Sequence, residues 1–192
     1  MRSIDCEGRP IAVRPFGEAD QDAALAFARS LPEHDLLFLS RDITQPRVVA
    51  AWARDIAEGS ITSFLAWDDG EVVGTCALVR DALSWSPHVG EVRVLLSPDV
   101  RGCGLGALLA QAMVDEARAL GLAKLTARMT VDQVGAVGLF EALGFRAEAM
   151  LRDQARDRAG ELHDVVVLAM HVARADALHG MFTAGEELGA DS

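Results

Sequence analysis

The sequence predicts a single-domain mixed α/β (α+β) fold, with a central mixed sheet of about seven strands flanked by helices. Three observations support this prediction. The chain of 192 residues is long enough to bury one substantial core. Hydrophobic periodicity gives the element order β-α-α-β-β-β-α-β-α-β-β, which combines hairpins with crossover helices. A glycine-rich loop at residues 101–107 separates an apolar strand from an amphipathic helix.

The N-terminal half is predicted to contain a strand, two helices and a hairpin. Pro46 suits the first turn of the second helix, and Gly59 suits its end. The turn Asp68-Asp69-Gly70 between two β-prone runs is a strong hairpin signal. These elements are predicted at residues 11–16, 24–31, 46–58, 61–67 and 71–79.

The C-terminal half is predicted to alternate strands with helices and to finish with a strand pair. Asp132 is placed to cap the second helix of this half, and Gly144 is placed to end it. We expect residues 10–172 to form the domain and residues 173–192 to form a tail, a short helix with a frayed acidic end. The elements are predicted at residues 91–96, 105–120, 123–129, 134–143, 145–151 and 162–172.

Composition narrows the class of partner. The net charge of −11 argues against nucleic acid, because nucleic-acid binding uses a basic surface, and it mildly favours cationic substrates. No apolar run approaches the roughly 20 residues of a membrane helix, and the N-terminus lacks the apolar core of a secretory signal. Three widely spaced cysteines suggest neither a disulfide framework nor a zinc site. We therefore expect no membrane partner, no metal and a cytoplasmic location.

The glycine-rich loop has the features of an anion site. Glycines at alternate positions let the backbone approach a ligand closely, and the helix N-terminus behind them favours phosphate. A nucleotide P-loop needs Lys-Ser or Lys-Thr after its last glycine, but Ala107-Leu108 follows Gly106. A dinucleotide fold is a weak alternative, because it expects an acidic residue about 20 positions after the loop and the chain offers only Asp132.

Two sequence blocks resemble the GNAT superfamily of N-acetyltransferases. Arg101-x-x-Gly104-x-Gly106, after a strand that ends in Leu96-Ser97-Pro98, resembles the family's loop for the pyrophosphate of acyl-CoA. The block from Gln133 to Phe145, which ends in Leu143-Gly144-Phe145, resembles the helix that contacts pantetheine. The two blocks occur in the family's order and spacing, and the likeness extends from about Ile11 to Val172.

The resemblance implies acetyl-CoA as co-substrate and a splayed strand pair at the acyl-CoA site. The amides of residues 102–107 would hold the pyrophosphate. The splayed strand would offer backbone groups to pantetheine and one N–H to the thioester carbonyl. Gln133 stands in place of an asparagine of the family. The implied acyl-CoA-binding residues are Val94, Leu95, Leu96, Arg101, Gly102, Cys103, Gly104, Leu105, Gly106, Ala107, Gln133 and Phe140.

The resemblance also implies an acyltransferase that moves an acetyl group to a primary amine by direct attack in a ternary complex. A base must remove a proton from the amine, because an ammonium group has no lone pair. Glu91, at the start of the splayed strand, is similar to the glutamate base of several family members, and an exposed carboxylate paired with Arg93 is the alternative. Phe140 stands where the family often has a tyrosine acid, and the chain contains no tyrosine. A non-catalytic acyl-CoA-binding sensor or degenerate paralogue therefore stays open.

The amine-bearing acceptor, a small molecule or a peptide, is not identified by the sequence. We expect acceptor specificity in residues 31–45 and 81–88, where Trp85 and His88 are candidate pocket residues. Arg80 and Arg93 are candidates for the acceptor site or for salt bridges. A homodimer formed through the last strands or the tail is also left open. A nicotinamide-dependent oxidoreductase is a distant third alternative.

Overall fold

Eight strands form one mixed sheet within residues 2–173, which the computed structural model describes. The strands are β1 (Arg2–Cys6), β2 (Arg9–Pro15), β3 (Ile61–Asp68), β4 (Glu71–Arg80), β5 (Val89–Leu96), β6 (Lys124–Thr130), β7 (Arg146–Arg156) and β8 (Leu162–His171). They are hydrogen-bonded in the order β1-β2-β3-β4-β5-β6-β8-β7. The α/β class and the mixed sheet predicted from the sequence are confirmed, with one strand more than expected.

Helices pack on both faces of the sheet. They are α1 (Gln21–Ser30), α2 (Pro46–Ala57), α3 (Leu105–Ala119) and α4 (Val134–Ala142), with short 3-10 turns at Glu18–Asp20, Glu33–Leu36 and Pro98–Val100. Side chains of α1 and α2 form one core, and side chains of α3 and α4 form the other. Successive residues of a strand point to opposite faces, so β5 contributes Val92 to the α3 core and Leu95 to the α1 core.

The pairing of β5 with β6 is short and is the one parallel pairing among the described strands. It joins Val89–Val92 to Lys124–Ala127, whereas every other neighbouring pair in the sheet is antiparallel. The parallel arrangement follows from the α3 crossover that connects the two strands. Beyond Val92, β5 continues to pair with β4 as far as Leu96, while β6 continues to pair with β8 as far as Thr130. The two strands therefore separate in the middle of the sheet.

The N-terminal strand β1 was not among the predicted elements. Its polar residues leave little hydrophobic pattern to detect, and only Cys6 is fully buried. The feature that marks this hairpin is its turn, where Glu7 and Gly8 both adopt positive φ, of 57° and 85°. Two consecutive residues with positive φ are typical of a tight β-hairpin turn, and this turn pairs β1 with β2.

The prediction that Asp132 caps α4 was wrong. The N-cap of this helix is Gln133, and no side chain bonds to the first turn. The Asp132 carboxylate instead lies 2.8 Å from Nε2 of His34. The Asp132 carboxylate thus contacts a residue nearly a hundred positions away in sequence, and it does not form the capping hydrogen bond to α4 that the sequence pattern predicts.

The expectation of unpaired cysteines was also wrong. Cys6 of β1 and Cys103 of the glycine-rich loop form a disulfide that joins positions 97 residues apart. Cys76 is free and buried, and burial raises the pKa of its thiol to about 12. The disulfide therefore fastens the N-terminal hairpin to the loop that precedes α3.

Two further expectations concern the ends of the chain and the membrane. The predicted C-terminal tail falls mostly on residues 174–192, which lie outside the described residues. Among the helices of residues 2–173, none has both the length and the hydropathy required to cross a bilayer.

Reduction of the disulfide is expected to destabilise the fold. Cross-linking across so long a loop restricts the unfolded chain, and disulfides of this kind contribute about 2–4 kcal/mol. We expect a reductant to lower Tm by about 5–15 °C in thermal unfolding. A Cys6→Ser/Cys103→Ser double variant should unfold at the lower temperature with or without reductant. Finding three reactive thiols, instead of one, in the denatured unreduced protein would contradict the pairing.

Candidate functional site

The separation of β5 from β6 leaves a free strand edge inside the sheet. Ser97 N–H donates to Val73 O at 2.9 Å, so the main-chain groups of odd-numbered β5 residues point toward β4. The register of β4 with β5 is unbroken from Gly74↔Leu96 to Arg80↔Gly90. The main-chain groups of Val94 and Leu96 therefore point into the gap, where no strand of residues 2–173 pairs with them.

A cavity of about 550 Å³ occupies this gap. Its walls come from β5, the glycine-rich loop, the start of α3, the end of β6 and one side of α4. A cavity of this size is in the range of small-molecule and cofactor sites. Of the residues predicted to bind acyl-CoA, those that line it are Val94, Leu95, Leu96, Arg101, Gly102, Gly104, Gly106, Ala107, Gln133 and Phe140.

The glycine-rich loop presents its main-chain N–H groups without acceptors. Gly102 and Gly104 have φ of 85° and 89°, in the left-handed region that a side chain disfavours. Within residues 2–173, the N–H groups of residues 102–107 have no hydrogen-bond acceptor. The first turn of α3 begins at Leu105, so its free N–H groups and helix dipole point the same way. This arrangement suits an anion with several oxygens.

Close packing at Gly106 also requires glycine. A Cβ atom there would lie 3.1 Å from Leu139 Cδ1 and 3.3 Å from Leu96 Cδ1. The absence of a side chain therefore lets α3 approach both α4 and β5. That approach fixes the loop against the end of the splayed strand.

The guanidinium of Arg101 closes one side of the cavity. It donates to Leu96 O at 3.0 Å and also to the carboxylate of Asp35, which lines the same cavity. The first contact satisfies a carbonyl on the free edge of β5. The second joins the segment between α1 and α2 to the glycine-rich loop.

On the α4 side, Gln133 and Phe140 line the cavity in different ways. Gln133 Oε1 accepts from Thr130 N–H at 3.3 Å, which leaves its amide nitrogen without a partner among the described residues. Phe140 is buried and packs edge-to-face on Phe145, with ring centroids 5.1 Å apart. It contributes an apolar wall and no hydroxyl group.

Three of the predicted site residues do not line this cavity. Cys103 forms the disulfide, and Leu105 is fully buried in the α3 core. Glu91 lies on the opposite face of β5, where its carboxylate accepts from Arg93 Nε at 2.7 Å and lies 3.7 Å from Arg128 Nε. The ion pair with Arg93 that the sequence offered as an alternative is present.

A second, smaller cavity of about 160 Å³ lies on the α1 and α2 face of the sheet. Leu95 lines both cavities, so both adjoin the splayed strand. The segment that follows α1 contributes to the smaller cavity, whereas residues 81–88 line neither cavity. Trp85 is fully exposed, and Arg80 donates to Gly59 O at 2.6 Å.

Several cavity residues were missed by sequence reasoning. Asp35 lies in a short 3-10 turn and Phe38 follows it, in a segment without an α-helix or a strand. Arg128 comes from a strand whose pattern indicates only alternation. Leu139 could have been found, because it lies one helical turn after Gly135 on the face of α4 that Ala136 and Phe140 share. The missed residues of the larger cavity are Asp35, Phe38, Val92, Arg128, Met129, Gly135, Ala136 and Leu139.

Comparison with known proteins identifies the family. The model of the acetyltransferase (GNAT) family matches residues 22–145, which is more than half of the chain and contains both the splayed strand and the loop. This protein belongs to the GNAT acetyltransferase family. No curated protein sequence matches this GNAT protein.

Solved structures share the GNAT fold. An acetyltransferase of the family from Streptococcus pneumoniae is 21% identical, with a TM-score of 0.71 over 84% of this chain and 99% of that one. Ribosomal-protein-alanine N-acetyltransferase from Brucella melitensis is 20% identical, with a TM-score of 0.71 over 83% and 99%. A phosphinothricin acetyltransferase from Sinorhizobium meliloti, solved with acetyl-CoA, is 20% identical, with a TM-score of 0.72 over 84% and 88%.

Proposed function

We propose that this GNAT protein transfers an acetyl group from acetyl-CoA to a primary amine by direct attack in a ternary complex. The observation that carries the proposal is the gap between β5 and β6, which continues into a loop of N–H groups without acceptors. A thioester arm fits the gap and a pyrophosphate fits the loop. The Sinorhizobium meliloti relative, solved with acetyl-CoA, supports the same co-substrate here.

The residues of the cavity match the chemistry of the co-substrate. The N–H groups of residues 102–107 would hold the pyrophosphate, with the N-terminus of α3 adding a favourable dipole. The pantetheine arm carries two amides, and the free edge of β5 offers donors and acceptors to them. Gln133 and the apolar side of α4, from Ala136 to Phe140, would cover the arm from the other side.

The chemical steps are assigned to groups of β5. Bound acetyl-CoA supplies a thioester that an amine can attack. The N–H of Val94 or of Leu96 would donate to the thioester carbonyl, and one such donor contributes about 2.7–4 kcal/mol in a well-studied enzyme. Glu91 is the proposed base, acting through water, because it lies two strand positions before Arg93 on the face of the smaller cavity.

Departure of the thiolate needs no tyrosine. A thiol with pKa near ~8.5 is a fair leaving group, so water can protonate it. Phe140 then serves as an apolar wall that excludes solvent from the arm. The alternative, an acyl-CoA-binding sensor without activity, is separated by a CoA-release assay with several acyl-CoAs and an amine library. Thiol release supports the transferase, and CoA binding without release for any amine supports the sensor.

Substitution of Gly102 is expected to weaken CoA binding specifically. Gly102→Ala strains the loop, because φ is 85°, and turns N–H groups away from the anion. Losing one charge-assisted hydrogen bond raises Kd about 10–100-fold, measured by calorimetric titration with CoA. Gly121→Ala is the matched control, since Gly121 has φ of 68°, open space around it and a position beyond the far end of α3. Equal affinities of the two variants would contradict the loop assignment.

Substitution of Glu91 is expected to change the pH–rate profile. Glu91→Gln keeps an acceptor for Arg93 Nε but removes the base, and general-base catalysis contributes about 10²–10⁴-fold. The deficit in kcat should be large at neutral pH and shrink above the pKa of the acceptor amine, where the amine is already unprotonated. Glu148→Gln, which alters a carboxylate paired with Lys124, should leave the profile unchanged. A Glu91→Gln profile identical to the wild type would exclude Glu91 as the base.

A further inference from the structure

The smaller cavity contains a guanidinium group that is only partly used. The side chain of Arg93 is 22% exposed and lines this cavity. Its Nε donates to Glu91 at 2.7 Å, but within residues 2–173 its two terminal nitrogens have no hydrogen-bond partner. The fork of an arginine matches the two oxygens of a carboxylate. The two terminal nitrogens of Arg93 are therefore available to an anionic group.

The charges around this cavity also favour an anion. Arg93 and Arg41 line it with one carboxylate, that of Asp55, which lies 3.8 Å from Arg41 Nη1. Glu91, which does not line the cavity, lies between Arg93 and Arg128 and is shared by both. Among the residues that line the smaller cavity, two guanidinium groups thus accompany one carboxylate, although the whole chain has a net charge of −11.

The remaining walls of the cavity are mostly apolar. Trp52 of α2, Ile61 of β3 and Val79 of β4 contribute to them, and Leu95 lines the larger cavity as well. The volume of about 160 Å³ is close to that of an engineered cavity of about 150 Å³ that binds benzene in another protein. One apolar side group, up to the size of a phenyl ring, is therefore accommodated.

The spacing along β5 relates the anion to the reaction. Arg93 and Leu95 are neighbours on one face of the strand, about 7 Å apart. A carboxylate held at Arg93 would place an amine on the adjacent carbon close to the level of Leu95, between Val94 and Leu96, whose main-chain groups point into the gap. Acceptors with an amine and a carboxylate on the same carbon fit this distance.

We propose that the acceptor is an α-amino acid with an apolar side chain, that Arg93 binds its carboxylate, and that Glu91 positions Arg93. This inference rests on the proposed function. Arg93 is then a specificity-determining residue, and the side chain of the acceptor occupies the smaller cavity. The carboxylate remains unchanged during the reaction.

The test compares L-phenylalanine with 2-phenylethylamine, which lacks only the carboxylate. In the wild type, kcat/KM should be about 10–100-fold higher for the amino acid, as expected for a charge-assisted hydrogen-bonded pair. Arg93→Met, which keeps the apolar stem, should remove this preference while CoA affinity stays unchanged. Arg93→Lys should keep part of this preference, because lysine retains the positive charge but lacks the paired N–H donors of the guanidinium. Arg47→Met, which removes an exposed arginine of α2 that lines neither cavity, is the matched control and should retain the full preference.

A readout without turnover separates this inference from the proposed function. L-phenylalanine binding to the CoA-saturated protein is measured by calorimetric titration in the wild type and in Arg93→Met. Binding that depends on Arg93 supports the inference even where no acetylation is detected. Equal use of both amines by the wild type, or equal losses for both in Arg93→Met, would overturn it while leaving the transferase intact.

Discussion

The parallel pairing of β5 with β6, and its early end, is the constraint on which the rest of the structure depends. Four residues of each strand pair, from Val89 to Val92 and from Lys124 to Ala127, and then the strands follow different partners. A sheet that opens internally must satisfy its free edge in another way. Arg101 does so for Leu96 O, and the other exposed groups of the edge are left available to a ligand. The early end of this pairing is therefore what makes main-chain groups inside the sheet available to a ligand.

The same constraint explains the glycine-rich loop and its disulfide. Since β5 ends over the gap, the chain must turn sharply to begin α3 and return to β6. Positive φ at Gly102 and Gly104 permits the turn, but it also leaves a run of N–H groups that have no acceptor within residues 2–173. The disulfide between Cys6 and Cys103 fastens this segment to the N-terminal hairpin, and neither cysteine lines the cavity. The cross-link restrains the loop without occupying the cavity.

Local patterns predicted most of the fold, and contacts distant in sequence account for most of what was missed. The Asp68-Asp69-Gly70 hairpin, the α3 periodicity and the loop glycines all depend on residues within one or two turns of each other. The contacts of Asp35 with Arg101 and of His34 with Asp132 depend on how the segment after α1 returns across the site. That segment has little regular structure, so no period marks it. The ten predicted residues that line the larger cavity lie in the two motifs or in the strand before the loop, and the other lining residues include neighbours that only folding brings together.

The net charge of the whole molecule contrasts with the charged residues at the two cavities. The protein is acidic overall, yet arginines lie at both cavities: Arg101 and Arg128 at the larger one, Arg41 and Arg93 at the smaller one. Each of the four has an acidic partner. Within residues 2–173, these pairs still leave some of the guanidinium nitrogens without a partner. An arginine that is oriented by one carboxylate loses little further freedom when it binds a second. Paired arginines are thus better suited than isolated ones to recognise an anionic substrate on an acidic protein.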